Sequence, residues 1–359
     1  VLVTGHFAYG PAVFGKGTSE ETWVDCVGGC GDVFLARYGP SGTLAWVKTA
    51  GGLADDAGYS IAVLDDGDIL LAGFFGHEAV FGAGEPNETT LVSNGSDDVF
   101  LARYRADGSL VWATAAGGSG EDTAYRVVPA ADGSSFVVGV FEGTAVFGAE
   151  EPNAATLVSA GQEDAFFASF DSEGHLVWAR RAGGNQRDGA SGVAALSDET
   201  VVASGGFSGE VEFEAGEASV ASLSSKGKQS VFIVRFDADG NLIWVRDLGV
   251  EGDDVAGSAA ATAIAPLYGG GFAVTGGFEG TLSCPTEDGL VTITPPEGKQ
   301  AFFLSRHRVD GSVAWISSAT GSGYWHSGWS LEEMIDGSIA VSGRYSGETV
   351  FGAGEPNET

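Results

Sequence analysis

Apolar residues along this chain fall into short runs broken by glycine-containing turns, not into the three-to-four spacing of amphipathic helices. From Tyr125 the order is AYRVVPA, a turn at Asp132-Gly133, SFVVGVF, a longer connection containing AVFG and TLVS, DAFFASF, a turn at Glu173-Gly174, and HLVWARRAGG. Two β-rich runs flanking a turn whose glycine can take positive φ predict a hairpin, so each such unit predicts two principal hairpins. A further hairpin is expected in the long connection. Runs such as Phe136-Val137-Val138 and Ile69-Leu70-Leu71 place apolar side chains on both strand faces, as in a small sheet covered on both sides.

The unit repeats. Phe34, Phe100, Phe166, Phe232 and Phe302 open equivalent runs, and Trp46, Trp112, Trp178, Trp244 and Trp315 follow at steps of 66, 66, 66 and 71 residues. The longer last step predicts an insertion around Ala259 to Tyr268. Each tryptophan closes a G-x-x-x-W element, as in Gly108 to Trp112. Because an indole buries about 150–250 Å², these five are expected to lock neighbouring sheets. Four-stranded sheets stacked about an axis make a β-propeller. The expected architecture is therefore a single all-β propeller domain with four-stranded blades and five full repeats plus a partial sixth. Units run about 1–68, 69–134, 135–200, 201–271 and 272–338, then 339–359, with closure at five to seven blades left open.

The motifs D-A-F-x-A-x-(F/Y), D-G-x-L-x-W, A-G-G-x-G-x-D and D-G-x-x-x-V-x-G resemble the bacterial SBBP-type β-propeller repeats over nearly the whole chain. G-x-x-x-W is also similar to the tryptophan-docking segment of quinoprotein propellers. The resemblance implies a propeller of the kind found in large secreted or surface-anchored bacterial proteins, and it implies no chemistry. Val1 to Phe7 match Ile69 to Phe75, and Val350 to Thr359 repeat Val80 to Thr89. The phase predicts that the terminal strands, near Val1 to Phe7 and Ile339 to Tyr345, are completed by more chain or by a neighbouring subunit.

Charge narrows the partners. Seventeen Lys and Arg against 49 Asp and Glu give a formal charge of −32, which repels nucleic acid and anionic membranes. No apolar run is long enough to span a bilayer, and no signal-peptide pattern is present in this chain. Cys26 and Cys30 could close a local disulfide, with Cys284 left over, and no histidine stands at metal-ligand spacing from them. Such a disulfide would suit an oxidising compartment, in line with the extracellular or cell-surface setting that the resemblance implies.

The most regular polar feature is Asp56, Asp122, Asp188 and Asp254, ten residues after successive tryptophans. As turn-formers they are expected to accept backbone N–H groups; the sharper alternative is a ligand or calcium at a channel mouth. No cofactor is required. Tyr324, Trp325, His326 and Trp329 break the ring pattern in the fifth repeat and form a candidate protein- or glycan-binding cluster. Arg37, Arg103 and Arg235 recur at one strand position and are expected to pair with carboxylates or carbonyls between blades. No nucleophile elbow or P-loop occurs. The functional expectation is a non-catalytic structural, adhesive or binding scaffold; the alternative is a quinoprotein-like oxidoreductase or a lyase acting at a channel mouth.

Overall fold

A computed structural model describes residues 1–28, 31–214, 220–251 and 259–351. It falls into two units, Val1–Ser159 with Phe167–Ala179, and Ala160–Phe166 with Arg180–Thr359. All regular structure among the described residues is β-strand, and no helix is long and apolar enough to cross a membrane.

In the first unit, β1 (Leu2–Phe7), β4 (Asp32–Tyr38) and β5 (Leu44–Gly52) form an antiparallel sheet, with β2 (Ala12–Phe14) and β3 (Thr22–Val24) as a separate hairpin in the connection. Next comes a complete four-stranded meander: β6 (Asp56–Val63), β7 (Ile69–Phe81), β8 (Thr89–Tyr104) and β9 (Leu110–Gly118). β10 (Thr123–Pro129) and β11 (Ser135–Phe147) begin the third sheet. β12 (Ala155–Phe170) and β13 (Leu176–Gly183) follow, each with residues in both units. Here the expected extra hairpin is no separate element: β7 and β8 run on through it, pairing Phe81 with Thr89 beyond a register shift after Gly76.

The second unit repeats the pattern. β14 (Gly189–Ala195), β15 (Val201–Phe207), β18 (Ser230–Phe236) and β19 (Leu242–Asp247) form one four-stranded sheet, with β16 (Glu210–Glu214) and β17 (Val220–Ser224) in its connection. After β20 (Val250–Glu251) come β21 (Ala260–Pro266), β22 (Phe272–Glu279), β25 (Gln300–His307) and β26 (Val313–Gly321), with the hairpin β23 (Thr281–Thr286) and β24 (Gly289–Ile293). β27 (His326–Glu333) pairs with β28 (Ile339–Tyr345), and β29 (Thr349–Val350) with β26. The longer fourth step is taken up ahead of β21, because the β21–β22 hairpin pairs in the same register as β14–β15, Ala260 with Gly277 as Gly189 with Gly206. That corrects the insertion expected through Tyr268.

Both faces of the middle strands are buried. Ile69, Leu70, Leu71 and Ala72 are consecutive and all nearly inaccessible, as are Val99 to Ala102. Phe81 meets Phe100 at a centroid distance of 5.0 Å, and Phe213 meets Phe232 edge-on at 5.2 Å, the same pairing two repeats later. Offset and edge-to-face rings of this kind add to simple burial.

The G-x-x-x-W element works between repeats rather than within one. A Cβ on Gly108 would lie 2.9 Å from the Trp46 ring, one on Gly174 2.9 Å from Trp112, and one on Gly311 3.0 Å from Trp244. Each glycine sits at positive φ in the turn of the following repeat, so its missing side chain provides both the turn and the seat for the indole. The Trp112 Nε1–H donates to Ser172 O at 3.1 Å, and Arg103 Nη1 donates to the same carbonyl at 3.2 Å. Arg37 and Trp46 share Ala106 O in the same way, and Arg235 donates to Val309 O at 2.8 Å. Arg103 also pairs with Asp68 at 2.9 Å and Asp66 at 2.6 Å. Trp178 is buried against Phe136, whereas Trp315 is 37% exposed.

Candidate functional site

The A-G-G-x-G-x-D segment becomes the seam between one sheet and the next. Gly51 and Gly52 pair with Val80 and Ala79, and Gly117 and Gly118 with Val146 and Ala145, so the connection of each repeat adds to the last strand of the repeat before it. A Cβ on Gly52 would stand 1.7 Å from Glu78 O, and one on Gly118 1.7 Å from Thr144 O. Glycine is required here because two backbones touch.

The aspartate that ends the segment closes the seam. Asp56 accepts the N–H of Gly52 at 2.9 Å on Oδ2 and that of Gly76 at 3.1 Å on Oδ1. Asp122 does the same with Gly118 at 2.7 Å and Glu142 at 3.1 Å, and Asp188 with Gly184 at 2.8 Å and Ser208 at 2.9 Å. Each ties the end of one sheet to the second strand of the next. These carboxylates are buried rather than presented at a surface. Asp254 and Cys30 lie outside the described residues, so the fourth aspartate and the Cys26–Cys30 pairing do too.

A second carboxylate stands at every one of these seams, and the sequence reading passed it over because it lies in the D-x-F motif that opens a core strand. Asp32, Asp98 and Asp164 are all nearly inaccessible. Their Oδ2 atoms accept the N–H of Val27 at 2.8 Å, Asn94 at 3.0 Å and Ala160 at 2.9 Å. Their Oδ1 atoms have no hydrogen-bond partner. Its signal was present in the sequence: a fixed 24-residue offset from Asp98 to Asp122, repeated on either side.

Burial raises these acids. Asp32 and Asp98 are pushed up to about 6 and Asp56 and Asp122 to about 7, in each case chiefly by loss of solvent. The facing carboxylate adds to this: Asp32 with Asp55 raises Asp56, Asp98 with Glu142 raises Asp122, and Asp97 raises Asp98. Asp188 rises to about 6 by burial, with Asp164 raising it and Arg181 lowering it. A folded-state pKa above the unfolded value means that the folded chain binds more protons, so stability declines as pH rises from about 4 through about 7. With divalent ions chelated, the melting temperature is therefore expected to be higher at pH 5 than at pH 8; the reverse order in a thermal scan would overturn this ionisation scheme.

In the second unit, Trp325 and Trp329 are about half exposed, with the Arg344 guanidinium 4.9 Å from one ring centroid and 5.5 Å from the other. Lys299 Nζ lies 3.3 Å from the Tyr324 ring centroid. Cation–π contacts hold these flat side chains while leaving their outer faces to solvent. His326 does not join them: it is 1% exposed, burial lowers its pKa, and its Nδ1 stands 3.3 Å from Thr349 Oγ1. Arg344, which spacing did not show, thus stands against both tryptophans, while the Tyr324 ring takes Lys299.

One Ser–His contact escaped the sequence reading. Ser305 Oγ and His307 Nε2 are 2.8 Å apart, and the imidazole stacks on Phe272 at 4.9 Å. Both side chains are buried, His307 Nδ1 faces Gly311 O at 3.4 Å rather than an acid, and burial lowers its pKa to about 4. The pair is a core hydrogen bond. Among the described residues no group of three or more His, Cys, Asp or Glu is placed to hold a metal ion.

No family model matches the chain. It is 21% identical over 294 residues to an uncharacterized WD repeat-containing protein of Acanthamoeba polyphaga mimivirus, covering 68% of this chain and 21% of that protein. It is 24% identical over 329 residues to Regulatory protein FlaEY of Caulobacter vibrioides, covering 87% of this chain and 31% of that one. The chain thus spans less than a third of the length of the curated relatives it matches. Successive four-stranded antiparallel sheets and a WD-repeat relative agree on a propeller-like all-β repeat protein.

Proposed function

We propose that this chain is a non-catalytic repeat scaffold for protein interaction, of the SBBP type its motifs resemble, acting outside the cell or at its surface. The observation that carries the reading is a division of labour among side chains. The repeating polar and aromatic residues are spent on joining repeats: the Trp112 indole and the Arg103 guanidinium both bind Ser172 O, and Asp122 binds two seam N–H groups. Exposed aromatics in the fifth repeat depart from that pattern: Tyr324 and Trp325 have no aromatic counterpart in the earlier repeats, and Trp329 stands where two of them have Tyr59 and Tyr125. Tyr324, Trp325 and Trp329 are each about half exposed or more, and rigid exposed aromatics with an arginine are the composition of binding hot spots. The WD-repeat relative supports a scaffold rather than a catalyst.

The test places a benzophenone photo-crosslinker at Trp325 in the full-length protein in its own host, with a second at Asp336, an exposed hairpin-turn position, as control. A protein adduct specific to Trp325 is expected. The double variant Trp325→Ala/Trp329→Ala is then expected to bind the purified partner at least about tenfold more weakly, with an unchanged melting temperature. Undiminished binding removes the cluster from the interface.

A further inference from the structure

The buried carboxylates of the first two seams are arranged about common points. A Cβ on Gly51 would lie 2.7 Å from Asp32 Oδ1 and 2.8 Å from Asp56 Oδ2; one on Gly117 would lie 2.6 Å from Asp98 Oδ1 and 2.8 Å from Asp122 Oδ2. So the orphaned Oδ1 of one aspartate and an oxygen of the other flank one spot, twice, in the same way. Both Asp32 and Asp98 are more than nine-tenths buried, and an unpaired charged oxygen in such a place is costly.

Later seams show how the chain relieves that cost with its own side chains. At the third, Arg181 Nη1 binds Asp164 Oδ2 at 2.8 Å, from the strand position held by Thr49 and Ala115 in the first two repeats. At the fourth, Ser230 replaces the first aspartate, and at the fifth Gln300 and His326 replace both. The charged neighbours that raise the first two pairs are acidic: Asp55, Asp97 and Glu142. Lys48 and Arg103 are paired elsewhere, with Glu85 and with Asp66 and Asp68.

We propose that the first two seams each hold one divalent cation of the calcium class, bridged by Asp32 and Asp56 and by Asp98 and Asp122. Carboxylate oxygens without nitrogen or sulfur select a hard cation, and calcium accepts irregular sets completed by carbonyls and water. Each ion would join the third strand of one sheet, β4 or β8, to the start of the first strand of the next, β6 or β10, as Arg181 holds Asp164 at the third seam. A proton shared between the two acids is the competing occupant, and the two compete for the same oxygens.

Calcium titration calorimetry on the chelator-treated chain at pH 7.5 tests this. Two ions per chain are expected, with a melting temperature raised by about 5 °C or more at saturation. Asp98→Asn is expected to bind one ion, and Asp32→Asn/Asp98→Asn none, while melting above the wild-type chain in chelator at pH 8, because the buried charge is gone. Absence of calcium binding overturns the proposal. So does a melting temperature that follows pH between 5 and 8 but ignores calcium, which assigns a shared proton. Binding of many ions that survives both substitutions assigns the acidic surface instead, and likewise overturns it. If the double variant does not fold, the wild-type stoichiometry and Asp98→Asn decide.

Discussion

Gly118→Ala is expected to destabilise the first unit by about 3 kcal/mol, at the upper end for one added methyl. An added Cβ would sit 1.7 Å from Thr144 O, and the obstacle is backbone in a paired strand rather than the end of a flexible side chain. Relief requires the Gly117–Val146 and Gly118–Ala145 pairs to separate, which also pulls the Gly118 N–H from Asp122 Oδ2. Gly84→Ala is the matched control. Its φ is +77° but nothing lies within 4 Å of the added carbon, so only the left-handed backbone cost of about 1–2 kcal/mol remains. Urea unfolding followed by tryptophan fluorescence separates the two. Equal losses would show that the seam is not a close backbone contact.

The second large effect is expected from Trp112→Ala, at about 3 kcal/mol. The indole covers Gly174, gives its N–H to Ser172 O and is part of the link between one repeat and the turn of the next. Trp112→Phe keeps the packing and loses only the N–H contact, so it is expected to cost about 1 kcal/mol. Trp315→Ala, at the 37% exposed position, is expected to fall well below Trp112→Ala. A loss at Trp315 as large as that at Trp112 would mean that the indoles stabilise their own hairpins and not their neighbours.

Both effects follow from a repeat whose sheets are coupled to their successors at several points: the tryptophan and arginine on a turn carbonyl, the glycine pair on the next connection, and the aspartate between them. A chain joined this way can vary its exposed residues without loosening its frame. Tyr324, Trp325 and Trp329 are such residues, absent from the corresponding places in other repeats apart from Tyr59 and Tyr125 at the Trp329 position. Tyr59 and Tyr125 stack on one another at 5.9 Å, so the same position becomes a ladder in one unit and part of an exposed cluster in the other.

The sequence alone determined the strands, the hairpin turns and the repeat, because alternation of apolar runs with glycine turns is a local property read off neighbouring residues. Hence β6 to β9 lie where the pattern in Asp56 to Gly118 places them. It also marked Asp56, Asp122 and Asp188, and the glycines and tryptophans, as special. Only the tertiary structure decided what each of them touches. Trp46 seats on Gly108 and not on its own Gly42, His326 turns inward while Trp325 stays out, and Asp98 stands beside Asp122. Those contacts join residues tens of positions apart, and they are set by how one sheet meets the next, which no spacing within a single repeat encodes. The tandem phase gives the repeat; the seam between successive repeats, where the buried carboxylates converge, exists only once two repeats have packed.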